Sequence, residues 1–291
     1  MKNVHRKDAH LEKHKISHLC ARVFVVPLLN HVIPASKIRA ALVKSSQAGK
    51  DAVERSGSSH AMESFYARDK GHTLMEKIGG YITHQVISPT KATRNRLLIV
   101  EEILEKEFIA HNLAGSAVSC VTLGGGTAHS LISVLARLTE ERVCPKVTIT
   151  NIDLDKTALE RGAALAQSAG CGDMFTWIND DVFHLDKHVA SGSADIIEMI
   201  GLLDYLSDTE AIALLYAARK ALKPKGLLVL ANIRPSKEEP FFRKAGWPKM
   251  YHRTEHDLGR LLREAKFDDN CIETMIEPVK LHTVARVKHP H

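Results

Sequence analysis

The sequence predicts a doubly wound α/β domain, on three observations. An apolar run breaks into consecutive glycines ahead of a helical pattern (Ala117 to Ser130, AVSCVTLGGGTAHS), a second, β-branched run ends in an acid (Lys146 to Asp153, KVTITNID), and strand and helix patterns keep alternating as far as Ile233. Alternation of this kind implies a mostly parallel sheet covered by helices on both faces. A strand that ends in glycines and feeds a helix leaves room for an adenosine-containing ligand at the strand's carboxyl end.

The elements follow in order. Residues 1–110 read as a mostly helical cap or accessory region, with amphipathic patterns from about His5 to Leu29, from Ala35 to Ser45 and from Ser64 to Tyr81. Gln47 to Ser59, rich in Ser, Gly and charge, reads as a mobile loop. Thr93 to Asn112 carries Leu97, Leu98, Val100, Ile103 and Leu104 at helical spacing and leads into the core, residues 111–291. After the glycine turn and the strand ending at Asp153 comes a helix from Thr157 to Ala169, for which Asp155 is the expected cap. Met174 to Ile178 and Ala194 to Ile200 are the third and fourth strands, followed by a helix from Asp208 to Leu222 with Asp208 as cap. Pro224-Lys225-Gly226 turns into a strand from Leu227 to Ile233, and Thr254 caps a helix running to Ala265. Cys271 to Ile276 and His282 to Lys288 close the chain as a hairpin, expected to leave one antiparallel edge to the sheet.

The glycine turn matches a dinucleotide fingerprint only in part: Gly124 and Gly126 supply the first two glycines of GxGxxG, and His129 stands at the third. A nucleoside cofactor with an amino-acid tail needs less of a helix N-terminus than a diphosphate does, yet still needs the close backbone approach that glycine permits. Glycines alone would equally serve a tight turn with no ligand. Asp153, at the end of the second strand, is placed to accept hydrogen bonds from both ribose hydroxyls. Asp181, in the acidic turn Asn179-Asp180-Asp181, is placed to meet an adenine amino group with Val182 against the ring; a solvated turn acid is the alternative there.

The series VTLGGGTA, TNIDLDKTAL, INDDVFHL, ADIIEMIGLLDYLSD and ALKPKGLLVLANI resembles the class I S-adenosylmethionine-dependent methyltransferases in order and spacing, from roughly Ile99 to the C-terminus. The resemblance implies a Rossmann-like seven-stranded mixed sheet with an N-terminal helical cap, and S-adenosylmethionine as cofactor. It puts Gly124 and Gly126 beside the methionine tail, Asp153 on the ribose and Asp181 on the adenine edge, with Gly125, Leu154 and Val182 also among the cofactor-binding residues. Ile200 and Gly201 would line the pocket at the end of the fourth strand. Thr122 stands where the family often has an acid and Ala128 where it often has a third glycine. The Gly201-Leu-Leu-Asp-Tyr-Leu stretch also resembles a bacterial branch that methylates small molecules, hydroxy-fatty-acid carboxylates among them.

Methyl transfer from a sulfonium is an in-line displacement in which the protein aligns the reactants and excludes water. A carboxylate acceptor needs no base, so the sequence designates no catalytic residue. The expected acceptor is a small molecule, anionic or amphiphilic, met by Tyr66, Tyr205, Arg234 and Tyr251, with Tyr81, Asp204, Trp247, His252 and Arg253 nearby. A core aromatic is the competing reading of Tyr205, and a surface salt bridge that of Arg234. Arg94 and Arg96 would either reach the cofactor carboxylate or line a solvated helix face. A nicotinamide-dependent oxidoreductase would also use Gly124, Gly126 and Asp153, but the missing third glycine and the closing hairpin count against it. A catalytically inactive relative or a nucleic-acid modifier steered by the basic arm is the remaining alternative.

Composition narrows these classes. Residues 1–60 hold eleven Lys or Arg against four Asp or Glu, close to the whole net charge of +6; such an arm attracts nucleic acid, anionic lipid or an acidic substrate. The aromatic content of 5% offers little surface for base stacking, which argues against nucleic acid. Five scattered cysteines without CxxC spacing favour a reducing, cytoplasmic compartment and argue against a metal site. The apolar stretch Ile16 to Ala35 is interrupted by Arg22, Pro27, Asn30, His31 and Pro34, which argues against a spanning helix. A homodimer is left open.

Overall fold

Strands β1 (Lys2–His5), β2 (Val118–Leu123), β3 (Val147–Asp153), β4 (Phe175–Asn179), β5 (Ala194–Ile200), β6 (Leu222–Ile233), β7 (Ile272–Ile276) and β8 (His282–Lys288) form one sheet in the order β1-β7-β8-β6-β5-β2-β3-β4. The computed structural model describes residues 1–14, 16–67, 77, 80–81 and 88–289, without the side chains of 16–22. Around the sheet lie α1 (Ile16–His31), α2 (Ala35–Ser45), α3 (Gln47–Glu54), α4 (Ser59–Ala67), α5 (Ser88–Leu113), α6 (His129–Glu140), α7 (Lys156–Ser168), α8 (Leu185–His188), α9 (Asp208–Ala221), α10 (Glu239–Ala245) and α11 (Glu255–Glu264). No described helix is long and apolar enough to cross a membrane.

The two-residue period of the strands sends their side chains into two cores. Val121 and Leu123 of β2, with Ile197 and Met199 of β5, pack beneath Leu185 of α8, Leu214 of α9 and Leu258 of α11. Cys120 of β2, Ile149 of β3 and Ile196 of β5 pack on the other side, against Ile99 and Leu104 of α5, Leu131 of α6 and Ala166 of α7. Helices therefore cover both faces, as the alternating pattern predicts. The carboxyl ends of β2, β3 and β5 border a cavity beneath the helical layer.

All seven strands expected from the sequence are present, and Lys2–His5 adds an eighth by pairing parallel to β7 from Lys2↔Glu273 to His5↔Ile276. β8 runs antiparallel to both β6 and β7, so the antiparallel strand lies inside the sheet rather than at its edge. Short length and charge blunt the new edge: the N-terminal ammonium sits 2.8 Å from Asp269 and Lys2 lies 2.7 Å from Glu273.

Several local expectations change. The helix expected from His5 starts at Ile16, because residues 2–5 are taken up by the sheet. Gln47–Glu54, expected to be loop, is a helix: the Ser46 hydroxyl caps it by accepting from the Gly49 N–H at 3.0 Å, and Ala48 and Ala52 are buried. The helix expected from Ser64 to Tyr81 begins earlier, at Ser59; beyond Ala67 it falls largely outside the described residues. The cap of α9 is Ser207, in a reciprocal capping box with Glu210, which frees Asp208 to pair with Arg253 (2.9 Å) and Arg260 (2.5 Å). The Pro224-Lys225-Gly226 turn survives as a bulge inside β6: Leu222 pairs with Ala194 and Leu227 with Ile196, with Lys225 at φ +66°. Asp155 and Thr254 cap α7 and α11 as expected.

Candidate functional site

Where β2 ends, the chain turns through Gly124 (φ +63°), Gly125 and Gly126 (φ +54°) into α6. Each glycine has a reason. Gly124 and Gly126 occupy the left-handed region, which costs L side chains about 1 kcal/mol or more. A Cβ on Gly125 would collide with the Thr122 hydroxyl and stand 2.8 Å from Asn151 Oδ1. A Cβ on Gly126 would stand 2.6 Å from Cβ of Ser59, the first residue of α4. The helical region thus lies directly on the turn.

Asp153, at the end of β3, holds the turn in place. Its Oδ2 accepts the Gly126 N–H at 2.7 Å and its Oδ1 the Asp155 N–H at 2.8 Å. A carboxylate offers about four lone-pair sites, so each oxygen keeps one for a ribose hydroxyl. Burial pushes this carboxyl above its ordinary value, partly offset by the two N–H donors. Leu154 beside it is a large apolar side chain left 68% exposed on the cavity wall, a surface suited to a heteroaromatic ring. Val182 is a buried wall residue of the same cavity. Asp181 just before it caps a short 3-10 turn, accepting from the Phe183 N–H at 3.0 Å, and is not itself a wall residue.

The cavity has a volume of about 340 Å³ and runs from the glycine turn past Ile200 and Gly201 at the end of β5, within the range of small-molecule sites. Beyond them it continues between the sheet and the helical layer, where Leu42 (α2), Ala52 (α3), Phe65 (α4) and Phe242 (α10) are wall residues. Trp247 stacks on Phe65 with ring centroids 6.2 Å apart. This end is apolar, with a few polar groups facing it from the core side.

Those groups are strongly perturbed. Glu198 of β5 is buried, which pushes its carboxyl up against the opposing effect of a hydrogen bond from Ser130. Asp204 is likewise pushed up by burial, while nearby Arg96 and the Ile233 N–H, which it accepts at 2.6 Å, pull it down. Tyr205, beside Asp204, is pushed up to about 12 by burial and that neighbouring charge; its hydroxyl accepts from Trp247 Nε1 at 3.0 Å. Burial pulls His129 down and His282 well down, keeping both neutral near pH 7. His129 stacks on Tyr66 at 4.9 Å between ring centroids. Among the described residues, four buried atoms near or on the wall have no hydrogen-bond partner: Arg96 Nε, Thr122 Oγ1, Asn151 Oδ1 and His282 Nδ1.

These features fit an amino-acid-bearing nucleoside. Polar groups at the glycine turn and at Gly201 await partners, and a Cβ added to Gly201 would meet nothing nearer than Arg96 Nη1 at 3.5 Å. No group of metal-ligating side chains occurs among the described residues.

The sequence-predicted residues divide clearly. Gly124, Gly125, Gly126, Asp153, Leu154, Val182, Ile200, Gly201, Tyr66 and Tyr205 all line the one cavity. Arg234 and Tyr251 do not: Arg234 pairs with Glu255 at 2.7 Å, the salt bridge weighed against it from sequence, and the Tyr251 ring faces the cations Lys249 and Arg253. Arg253, too, is spent on structure, donating to Leu203 O, Leu206 O and Asn232 Oδ1. Arg94 pairs with Glu12 at 2.5 Å, whereas Arg96 lines the cavity, so neither lies on a solvated face. Sequence reasoning passed over Glu63, Glu198 and His282. An acid inside the apolar stretch IIEMI, residues 196–200, is the one sign that could have marked Glu198.

Glu63 anchors α4 over the turn. Its Oε1 accepts from Thr127 Oγ1 at 2.7 Å and from Arg161 Nη2 at 2.9 Å, tying α4 to both the glycine turn and α7.

Residues 121–228 match the family described as a methyltransferase domain. A search of curated proteins finds no match. Among solved structures, a possible exported protein from Bordetella parapertussis is similar with a TM-score of 0.72 at 18% identity, covering 88% of this chain and 87% of that one. The S-adenosylmethionine-dependent methyltransferase SibL has a TM-score of 0.55 at 15% identity, covering 94% and 77%. An O-methyltransferase family protein from Burkholderia thailandensis has a TM-score of 0.54 at 14% identity, covering 94% and 70%.

Proposed function

We propose, from the premise that this chain is a class I S-adenosylmethionine-dependent methyltransferase, that its acceptor is a small molecule with an apolar body and an anionic or hydroxyl end. The observation that carries the reading is the continuity of one cavity from the glycine turn to the Phe65–Trp247 chamber beneath the helical layer. Cofactor chemistry supplies an electrophilic methyl group; the chain's own residues position and enclose. In this reading Asp153 holds the ribose, Leu154 and Val182 flank the adenine with Asp181 at its edge, and the backbone from Gly124 to Gly126 meets the tail. The acceptor's apolar part lies against Phe65, Phe242 and Trp247, and α4 shuts out water that would compete for the methyl group. A carboxylate acceptor needs no base; for a hydroxyl, the wall offers two neutral imidazoles, His129 and His282, of which His129, pulled down less by burial, is the stronger base. The described cysteines are all free, which supports a reducing, cytoplasmic setting.

The test is methyl transfer from radiolabelled S-adenosylmethionine to a panel of carboxylate and hydroxyl amphiphiles, with Trp247→Ala beside the wild type. The expected result is a labelled small molecule, with KM for the acceptor raised about tenfold in the variant and affinity for S-adenosylhomocysteine unchanged. Label appearing only in protein or nucleic acid, or a variant equal to wild type, would refute the reading.

A further inference from the structure

Arg96 and Glu198 are an opposed pair of buried charges that do not touch. Both line the cavity next to the glycine turn, with 4% and 2% of their surface exposed. Glu198 lies on β5 directly opposite Thr122 of β2, two residues before Gly124. Its one hydrogen bond to a side chain outside that strand pair comes from Ser130. Arg96, on α5, reaches Tyr66 Oη at 3.4 Å and Met62 Sδ at 3.9 Å, both weak, while its Nε has no partner. Arg96 feels the charges of Glu198 and Asp204, yet pairs directly with neither.

Leaving a guanidinium and a carboxylate buried and apart is costly, because each loses water without gaining the other. What relieves both is a ligand group carrying an acceptor and a cationic donor side by side. An α-amino acid is such a group: its carboxylate and ammonium are held two bonds apart and both are charged at neutral pH. The open side of Gly201, where an added Cβ would approach Arg96 Nη1 at 3.5 Å, leaves the path to the guanidinium clear.

We infer that Arg96 and Glu198 form a zwitterion clamp for the amino-acid tail of the cofactor, the guanidinium binding its carboxylate and the Glu198 carboxylate its ammonium. The inference rests on the cofactor reading above and assigns two residues to one end of it. Arg96 suits the task because its fork can hold a carboxylate through two parallel N–H donors, which Lys cannot.

The experiment compares two ligands by calorimetry: S-adenosylhomocysteine, and 5′-methylthioadenosine, which has the same nucleoside and thioether but no amino acid. Wild type should bind the first more tightly. Glu198→Gln keeps the shape and the partner for Ser130 and should lose about 10- to 100-fold in S-adenosylhomocysteine affinity, as expected for a hydrogen bond between charged groups. Affinity for 5′-methylthioadenosine should change less than about threefold on the same scale of effects. Arg96→Lys, which keeps the buried positive charge but not the two-pronged donor geometry, should show the same selective loss to a smaller degree. Parallel loss of both ligands, or loss of neither, would overturn the clamp while leaving the cofactor reading intact. A folded wild type that bound neither ligand would remove the cofactor reading and the clamp with it.

Discussion

Replacing Asp153 with Ala removes the acceptor for two backbone donors, the Gly126 N–H at 2.7 Å and the Asp155 N–H at 2.8 Å, before any ligand is considered. Hydrogen bonds to a charged group contribute about 1.5–3 kcal/mol each. Asp153 is only partly buried, so the freed donors regain water and the loss should sit near one such bond rather than two. At about 2–4 °C per kcal/mol for a chain of this size, the melting temperature should fall by roughly 3–10 °C. Losing the ribose contacts should also weaken S-adenosylhomocysteine by about one to two decades. Asp155→Ala is the control. It removes a helix cap, the carboxylate that accepts the Ala158 N–H at 3.0 Å, which costs about 1 kcal/mol, and should leave affinity within about threefold, since a lost cap acts on the helix and not on the ligand. Differential scanning fluorimetry without ligand and calorimetric titration with S-adenosylhomocysteine separate the two effects. Equal loss of affinity in both variants would refute the assignment of the ribose to Asp153.

Four further outcomes are expected. Gly126→Ala should destabilise the protein by about 1–3 kcal/mol, from left-handed strain and from the collision with Ser59. Ser59→Gly in the same chain should recover part of that in a denaturant melt; no recovery would refute the contact. Ala128→Gly should be close to neutral, because relief of the strain at φ +53°, about 1 kcal/mol, offsets loss of a buried methyl, about 0.8 kcal/mol; a melting shift beyond about 4 °C would contradict that balance. Glu63→Ala should speed proteolysis or hydrogen exchange in α4 without unfolding the sheet, and unchanged protection there would deny the anchor. His282, pulled well below its ordinary value by burial, stays neutral when folded while the unfolded chain takes up a proton. Its contribution to stability is therefore lost as pH falls below about 6.5. The raised carboxyls Glu198 and Asp204 act in the opposite sense as pH falls, so the readable quantity is the difference between wild type and His282→Gln across pH 7 to 5. Parallel curves would contradict the assignment.

The strand-end motifs were legible because each is a local event: a glycine turn, an acid terminating a buried strand and a cap at Asp155 all announce themselves in a few residues. The succession of β2 to β6 followed from alternation, and the β7–β8 pair from the short turn between two strand-like runs. β1 was hidden because a four-residue strand at the start of a charged segment has no period to read, and its partner β7 lies some 270 residues away. Arg234 and Arg96 show the limit at the site. Both are arginines beside buried elements, and only tertiary structure reveals that Glu255 neutralises the first while the second faces the cavity. The helical region is also less separable than its composition suggests. Deleting residues 1–60 would remove β1 from the sheet and Ser59 from the glycine turn, so point substitutions in the chamber test the acceptor site more cleanly than truncation.

The most direct measurement of the central claim is a crystal structure of the chain grown with S-adenosylhomocysteine. The ligand should lie along the carboxyl ends of β2, β3 and β5, with both ribose hydroxyls on Asp153, the adenine against Leu154 and Val182, and the tail passing Gly124 to Gly126. Its sulfur should face the chamber of Phe65 and Trp247. A ligand bound elsewhere, or a ribose held by other residues with Asp153 still engaged only by Gly126 and Asp155, would contradict the account.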